Sequence, residues 1–263
     1  MKNEPFSYTV VRVVDSHYLN HFETALPSLQ RFRPELFALP WLVIRDRDMH
    51  WDNKERLNKL ILDAVPGEVS CLDWPENGQE FPTQREKMLT AWALFVPRFI
   101  RTPFWMKADA DVYATREADG WEPWFHLESN DIALCPSWSY TKPAEQMAAL
   151  DRWSEGIIGP WTKPPLNLPF EPGASKCHHR RFCTWVSWFK TDWARWAAGL
   201  CDGRLPVPSE DGYHSYVAER SGASWRPYKA RQFGWANSRS LRRLRSEVAK
   251  ALGMIDWTAV GAA

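Results

Sequence analysis

The sequence predicts one composite α/β domain: a mainly parallel sheet with helices on both faces, fused to a smaller mixed half. Three observations predict it. Short β-branched apolar runs alternate with segments whose apolar residues recur at helical spacing, the mark of strand–helix–strand units. The 263 residues, 44% hydrophobic and only 25% charged, suffice for a large core and speak against intrinsic disorder. No internal repeat and no clean linker divides the chain, so residues 1–114, 115–237 and 238–263 are expected as parts of one unit.

Residues 8–14, YTVVRVV, form the first strand, and Asp15-Ser16 after it are good helix N-caps. Tyr18, Phe22, Ala25, Leu26 and Leu29 then mark a helix that Pro27 should kink. A second strand at 40–45, PWLVIR, precedes a helix marked by Leu57, Leu60, Ile61 and Ala64. A third strand at 68–72 precedes a helix over 85–96 with Met88, Trp92, Phe95 and Val96 on one face, which leads into PFWMKADADV. Beyond Ala114 the pattern changes to a strand at 131–135 and a short helix at 145–153. A Pro- and Gly-rich stretch follows, with Trp161 and Phe170, and residues 155–177 read as a lid loop. A buried strand at 182–189, a helix at 209–220 closed by Gly222, and an amphipathic helix with Leu241, Leu244, Val248 and Leu252 complete the chain.

Charge and composition exclude several functions. With 33 Lys and Arg against 32 Asp and Glu, the net charge of +1 gives no global pull toward nucleic acid or acidic lipid. No apolar run approaches the roughly 18 residues of a membrane span, and the start lacks a secretory pattern, so a cytoplasmic protein is expected. Five cysteines, an odd number at irregular spacing, fit reduced thiols. The 17 Trp are anomalous; indoles stack on sugars and bases, although most are expected as core filler.

The chemistry concentrates in residues 104–112, FWMKADADV. In an extended backbone alternate side chains share a face, so Asp109 and Asp111 can converge on one cation. They end a buried strand, where a parallel sheet receives its ligand. Two hard oxygen donors suit Mg²⁺ or Mn²⁺, which takes its remaining ligands from water and a substrate's phosphates. A second pair, Asp46 and Asp48, also follows an apolar run, but Arg45 and Arg47 partly neutralise it. The metal is therefore assigned to Asp109 and Asp111, and Asp46 to hydrogen bonds from a base or ribose. Lys107 has the same parity as Asp109 and would pair with it unless the chain bends.

Asp46 after the second strand, the basic helix start Gln84-Arg85-Glu86-Lys87, the hydrophobic run into Asp109-Ala110-Asp111 and the downstream Ser209-Glu210-Asp211 resemble a GT-A-fold glycosyltransferase, especially the family 2-like enzymes, over roughly residues 6–222. The resemblance implies a Rossmann-type sheet and transfer of a sugar from a nucleotide diphosphate to an acceptor hydroxyl, with Mn²⁺ or Mg²⁺ neutralising the leaving diphosphate. Residues 1–114 would bind the nucleotide sugar, with a UDP-sugar the first expectation, and 115–237 would bind the acceptor and carry the base. It implies Asp109 and Asp111 as metal and donor contacts, Asp15 and Asp46 as donor contacts, and Glu210 or Asp211 as base. Two departures stand out. The first strand ends Val13-Val14-Asp15 instead of in a Pro-containing turn, and no His follows His214. The late metal-binding His of many relatives is thus missing or displaced, which leaves His214 or His179 as the candidate third ligand.

Ser209 as N-cap places Glu210 and Asp211 in the first helical turn, where the dipole favours ionised carboxylates. Asp211 is preferred as base; if a carboxylate takes that role, displacement with inversion is expected, whereas a front-face retaining reaction would not require it. Arg85 and Lys87 could add positive charge at the leaving diphosphate. The segment from Cys177 to Cys183, with its His178-His179, lacks the paired spacings of a zinc site and reads as a basic loop. Arg239, Arg242, Arg243, Arg245 and Lys250 form a cationic face, either solvated or guiding an anionic acceptor. The acceptor stays open among a glycan, a lipid-linked sugar and a hydroxymethylated DNA base, since aromatic rings can hold a flipped base. Two other classes compete. A phosphohydrolase with an aspartyl nucleophile is opposed by Tyr113 and by the mid-chain position; a non-catalytic Trp-rich sugar- or nucleic-acid-binding module needs only the indoles and a structural ion.

Overall fold

The computed structural model describes residues 8–76, 79–115, 132–135, 137–139, 144–159, 180–182, 185–223, 225–227, 232–235 and 240–254. Strands β1 (Tyr8–Val14), β2 (Trp41–Asp46), β3 (Val69–Trp74) and β4 (Phe104–Ala108) alternate with helices α1 (Leu19–Phe32), α2 (Trp51–Ala64) and α3 (Gln84–Thr90). Helix α1 runs through Pro27. The helix expected over 85–96 is interrupted: after Thr90 it widens into a π turn, Ala91–Phe95, before the short α4 (Val96–Phe99). Every residue of that turn is buried, so its apolar pattern carries no period that could reveal the change of pitch.

The second half supplies β5 (Val112–Ala114), β6 (Ala133–Cys135), β7 (Ser137–Ser139), α5 (Ala144–Ser154), β8 (Arg180–Phe182), β9 (Val186–Lys190), α6 (Thr191–Gly199), α7 (Glu210–Arg220), β10 (Arg226–Pro227), β11 (Phe233–Trp235) and α8 (Leu241–Leu252). The main sheet has the order β10-β6-β9-β4-β1-β2-β3. Its β4-β1-β2-β3 half is parallel, as the alternating order predicts, while β9 runs antiparallel to both β4 and β6. The single strand expected over 182–189 is two: β8 pairs with β7 in a small separate sheet, and β9 enters the main one. The chain changes sheets between them, which an apolar run alone does not reveal.

Successive residues of β1 divide the core into two layers. Val10 and Val14 pack with Phe22, Leu26, Leu57 and Ile61 beneath α1 and α2, whereas Val11 and Val13 pack with Trp92, Phe95, Trp193 and Tyr213 on the other face. Trp41, Trp105, Trp188 and Trp193 are fully buried, so these four indoles serve as core. Helix α8 lays Leu244 and Val248 against Ala25 and Tyr113, leaving Arg242, Arg243, Arg245 and Lys250 exposed. Gly234 lies under the Tyr113 ring, so close that a Cβ there would fall 2.2 Å from Cζ. The greater part of the expected lid, residues 160–177, together with His178, His179, Cys183 and Arg239, lies outside the described residues. No helix among the described residues is long and apolar enough to cross a membrane.

Candidate active site

Strand β4 ends at Ala108, and the chain turns through Asp109–Asp111. Val112 N–H donates to the Asp109 carbonyl (3.0 Å), and Asp109 N–H donates to the Trp185 carbonyl (2.9 Å). A cleft of about 700 Å³ opens there, at the carboxyl ends of β1 and β4. Asp15 and Tyr18 line it after β1, Gln84, Arg85 and Trp92 from α3 and the π turn, Glu210 and Asp211 from α7, and Trp235 from β11, around Asp109 and Asp111. Six of the residues singled out in the sequence, Asp15, Arg85, Asp109, Asp111, Glu210 and Asp211, therefore meet in one cavity.

The bend does not release Asp109 from Lys107. The Lys107 ammonium, with only 2% of its side chain exposed, donates to Asp109 Oδ1 (2.6 Å), pairs with Glu210 Oε1 (2.9 Å) and sits 4.6 Å from the centre of the Trp92 ring. Burial works against its charge, but Asp109, Glu210 and Asp211 hold it protonated above the ordinary lysine value. Burial pushes the Asp109 carboxyl up to about 7; Lys107 pulls it back, and Glu210 and Asp111 add to the rise. Its side chain remains 31% exposed toward the cleft.

Helix α7 starts at a true cap: Ser209 Oγ accepts from Gly212 N–H (3.1 Å). This places both acids in the first turn, where they differ. Glu210 is buried and bound to Lys107, whereas Asp211 is half-buried on the cleft wall.

Asp46, Lys87 and His214 do not line the cleft. Lys87 donates to Asp46 Oδ1 (2.7 Å) and Asp48 Oδ2 (2.8 Å), joining the two acids of the second pair. Gln84 Nε2 then reaches both Asp46 Oδ2 (2.7 Å) and Asp15 Oδ2 (3.1 Å), while Tyr18 N–H donates to Asp15 Oδ1 (2.8 Å). His214 is buried among Phe189, Trp193 and Tyr213, and neither ring nitrogen has a hydrogen-bond partner. Burial pulls its imidazole down to about 4, so it is neutral at pH 7.

The arrangement suits a hard cation that takes few protein ligands. Asp109 and Asp111 offer only carboxylate oxygens, the donors such a cation takes. Two residues of the site escaped sequence reasoning. Gln84 carried no signal beyond its place in a basic helix start. Arg12 did carry one, as the lone charge in a β-branched strand; it is fully buried and donates to the Ala108 (3.2 Å) and Asp109 (2.9 Å) carbonyls.

No protein-family model and no curated protein matches this sequence. Solved structures do. The chain is similar to core-mannan synthase A (CmsA/Ktr4) from Aspergillus fumigatus in its Mn/GDP form, with TM-score 0.57 and 10% identity over 97% of this chain and 87% of that one. It is similar to the mannosyltransferase Ktr4p from S. cerevisiae, with TM-score 0.53 and 10% identity over 84% and 67%. The galactosyltransferase LgtC in complex with donor and acceptor sugar analogues gives TM-score 0.51 and 10% identity over 95% and 99%. The chain thus has the fold of the GT-A glycosyltransferases, as the resemblance implied.

Proposed function

We propose that the protein is a nucleotide-sugar-dependent glycosyltransferase with a divalent cation, Mn²⁺ or Mg²⁺, at Asp109 and Asp111 and with Asp211 as base. The observation that carries this is the meeting of two acidic pairs, Asp109/Asp111 and Glu210/Asp211, in one cleft at the strand ends of a GT-A fold. Charge supports it: the four carboxylates outnumber the two buried cations beside them, Arg12 and Lys107, and a divalent ion would ease that excess. When bound, the cation would stabilise the charge that builds on the leaving diphosphate. His214, enclosed by aromatic rings, is left out of the ligand set.

Asp15, steadied by Gln84 and the Tyr18 amide, faces the nucleoside, and Arg85 the diphosphate. Asp46 and Lys87 act on the donor indirectly, by holding Gln84 against Asp15. Asp211 takes the proton of the acceptor hydroxyl as its oxygen bonds to the anomeric carbon; the bond from that carbon to the diphosphate oxygen breaks, and the electron pair leaves with the diphosphate. Attack opposite the leaving group inverts the anomeric centre. Glu210, held by Lys107, is less available for this proton. The carboxylates on the cleft wall favour a neutral sugar hydroxyl, on a glycan or lipid-linked sugar, over a DNA acceptor. Free thiols at Cys71 and Cys201 fit the expected cytoplasmic location.

The test is diphosphate release from a panel of nucleotide sugars with Mn²⁺, in wild-type protein and in Asp109→Ala. UDP-sugars come first, then GDP-sugars, because core-mannan synthase A carries GDP. Release that the substitution abolishes is expected. Unchanged release would remove the metal assignment, and no release from any donor would favour the binding module.

A further inference from the structure

Arg12 is the only charged residue of β1, and none of its surface is exposed. Its guanidinium carbon lies 5.8 Å from the centre of the Phe22 ring and 5.6 Å from that of the Trp41 ring. Only one end of it is bound: Nη1 donates to the carbonyls of Ala108 and Asp109, while Nε and Nη2 make no hydrogen bond. A buried guanidinium with unmade hydrogen bonds is costly, and an apolar side chain of similar volume would fill the layer at less cost. What the guanidinium adds is therefore at Nη1, which clasps the last residue of β4 and the first of the acidic turn. Asp109 and Asp111 are also the two carboxylates that act most strongly on its charge.

We infer that Arg12 is a positioning residue: by holding the Ala108 and Asp109 carbonyls it sets the turn so that Asp109 and Asp111 present their carboxylates to one cation. This rests on the reading that the pair binds a divalent ion. Groups that orient metal ligands typically affect metal affinity by about 10–100-fold when replaced. Arg12→Lys is the discriminating variant, because it keeps the charge and loses the planar fork.

Mn²⁺ affinity of the 263-residue chain, measured by titration calorimetry without donor, tests the inference, with melting temperature and donor KM and kcat alongside. Arg12→Lys is expected to weaken Mn²⁺ binding roughly tenfold or more. Val10→Ala, on the same face of the same strand, is expected to lower the melting temperature and leave Mn²⁺ affinity unchanged. Wild-type affinity in Arg12→Lys, or equal weakening in Val10→Ala, would overturn the positioning role. So would tighter binding in Arg12→Met beside an unchanged Arg12→Lys, since Arg12 would then act as a charge alone. Absence of Mn²⁺ binding in the wild type, or its persistence in Asp109→Ala, would instead overturn the metal reading and the inference with it.

Discussion

Lys107→Met removes one ammonium from between two carboxylates while keeping most of the stem. The nitrogen lies 2.6 Å from Asp109 and 2.9 Å from Glu210. At an effective dielectric constant near 20, each attraction is worth roughly 6 kcal/mol at such separations, most of it offset by taking the charges out of water. Removing one partner of a buried pair leaves that desolvation uncompensated and costs about 3–5 kcal/mol, a large part of an ordinary domain's stability of about 5–15 kcal/mol. The loss should depend on pH. Without Lys107 the Asp109 carboxyl, which burial already pushes up, loses the cation that pulls it back, so the deficit is small at low pH, where the carboxyl is protonated, and grows as pH rises. Urea denaturation followed by Trp fluorescence should therefore show the full deficit at pH 8 and a smaller one at pH 5. Adding Asp109→Asn should recover part of it, because one uncompensated charge disappears. A deficit below about 1 kcal/mol at pH 8, or one equal at both pH values, would refute the account of Lys107 as the counter-charge.

Three further outcomes are expected. Because Asp109 is pushed up to about 7, a cation must displace its proton at lower pH; Mn²⁺ affinity should rise with pH up to about 7 and level off above, and calorimetry from pH 5.5 to 8.5 that shows an affinity independent of pH would refute this. His214, held neutral down to about 4 against about 6.5 when unfolded, contributes stability that is present above pH 6.5 and lost as pH falls through 4. His214→Phe should flatten that acid slope by a few kcal/mol in urea titrations at pH 7 and 4; an identical slope would show that the ring is not the cause. Gly234→Ala would place a Cβ 2.2 Å from Tyr113 Cζ, so a loss of about 1–3 kcal/mol is expected in thermal melts, with partial rescue by Tyr113→Ala.

The first strands were legible because their signal is local. The run 8–14 is β1 to the residue, and 40–45 differs from β2 by one position at each end. Asp109 and Asp111 could be selected because a parallel sheet gathers its strand ends at one edge, whereas Asp15, Glu210 and Asp211 were named only through the resemblance. What stayed hidden was pairing. Nothing in the spacing says that Lys87 will close on Asp46, 41 positions earlier, or that Glu210 will be the second partner of Lys107. The parity of Lys107 and Asp109 did signal their pairing, and it survived the bend that should have broken it, because a long flexible stem reaches round a turn. His214 shows a related limit: sequence shows a side chain that can ligate, and only the packing of Phe189, Trp193 and Tyr213 shows how it is enclosed.

The position of the two buried cations follows from the sheet itself. In the parallel pairing of β1 with β4, Val11 stands opposite Lys107, so both lie on one face and Arg12 on the other. The acidic turn is thus approached from opposite faces, by Lys107 through a carboxylate and by Arg12 through two carbonyls. Deeper in either strand, the same charges would sit among Val10, Val43 and Met106 on one face or Val11, Ile44 and Trp105 on the other. Near the strand ends they find oxygen atoms, and in doing so they fix the turn before any ligand arrives. On the proposed reading, a cation entering the cleft would meet carboxylates already oriented, the energy of ordering them having been spent in folding.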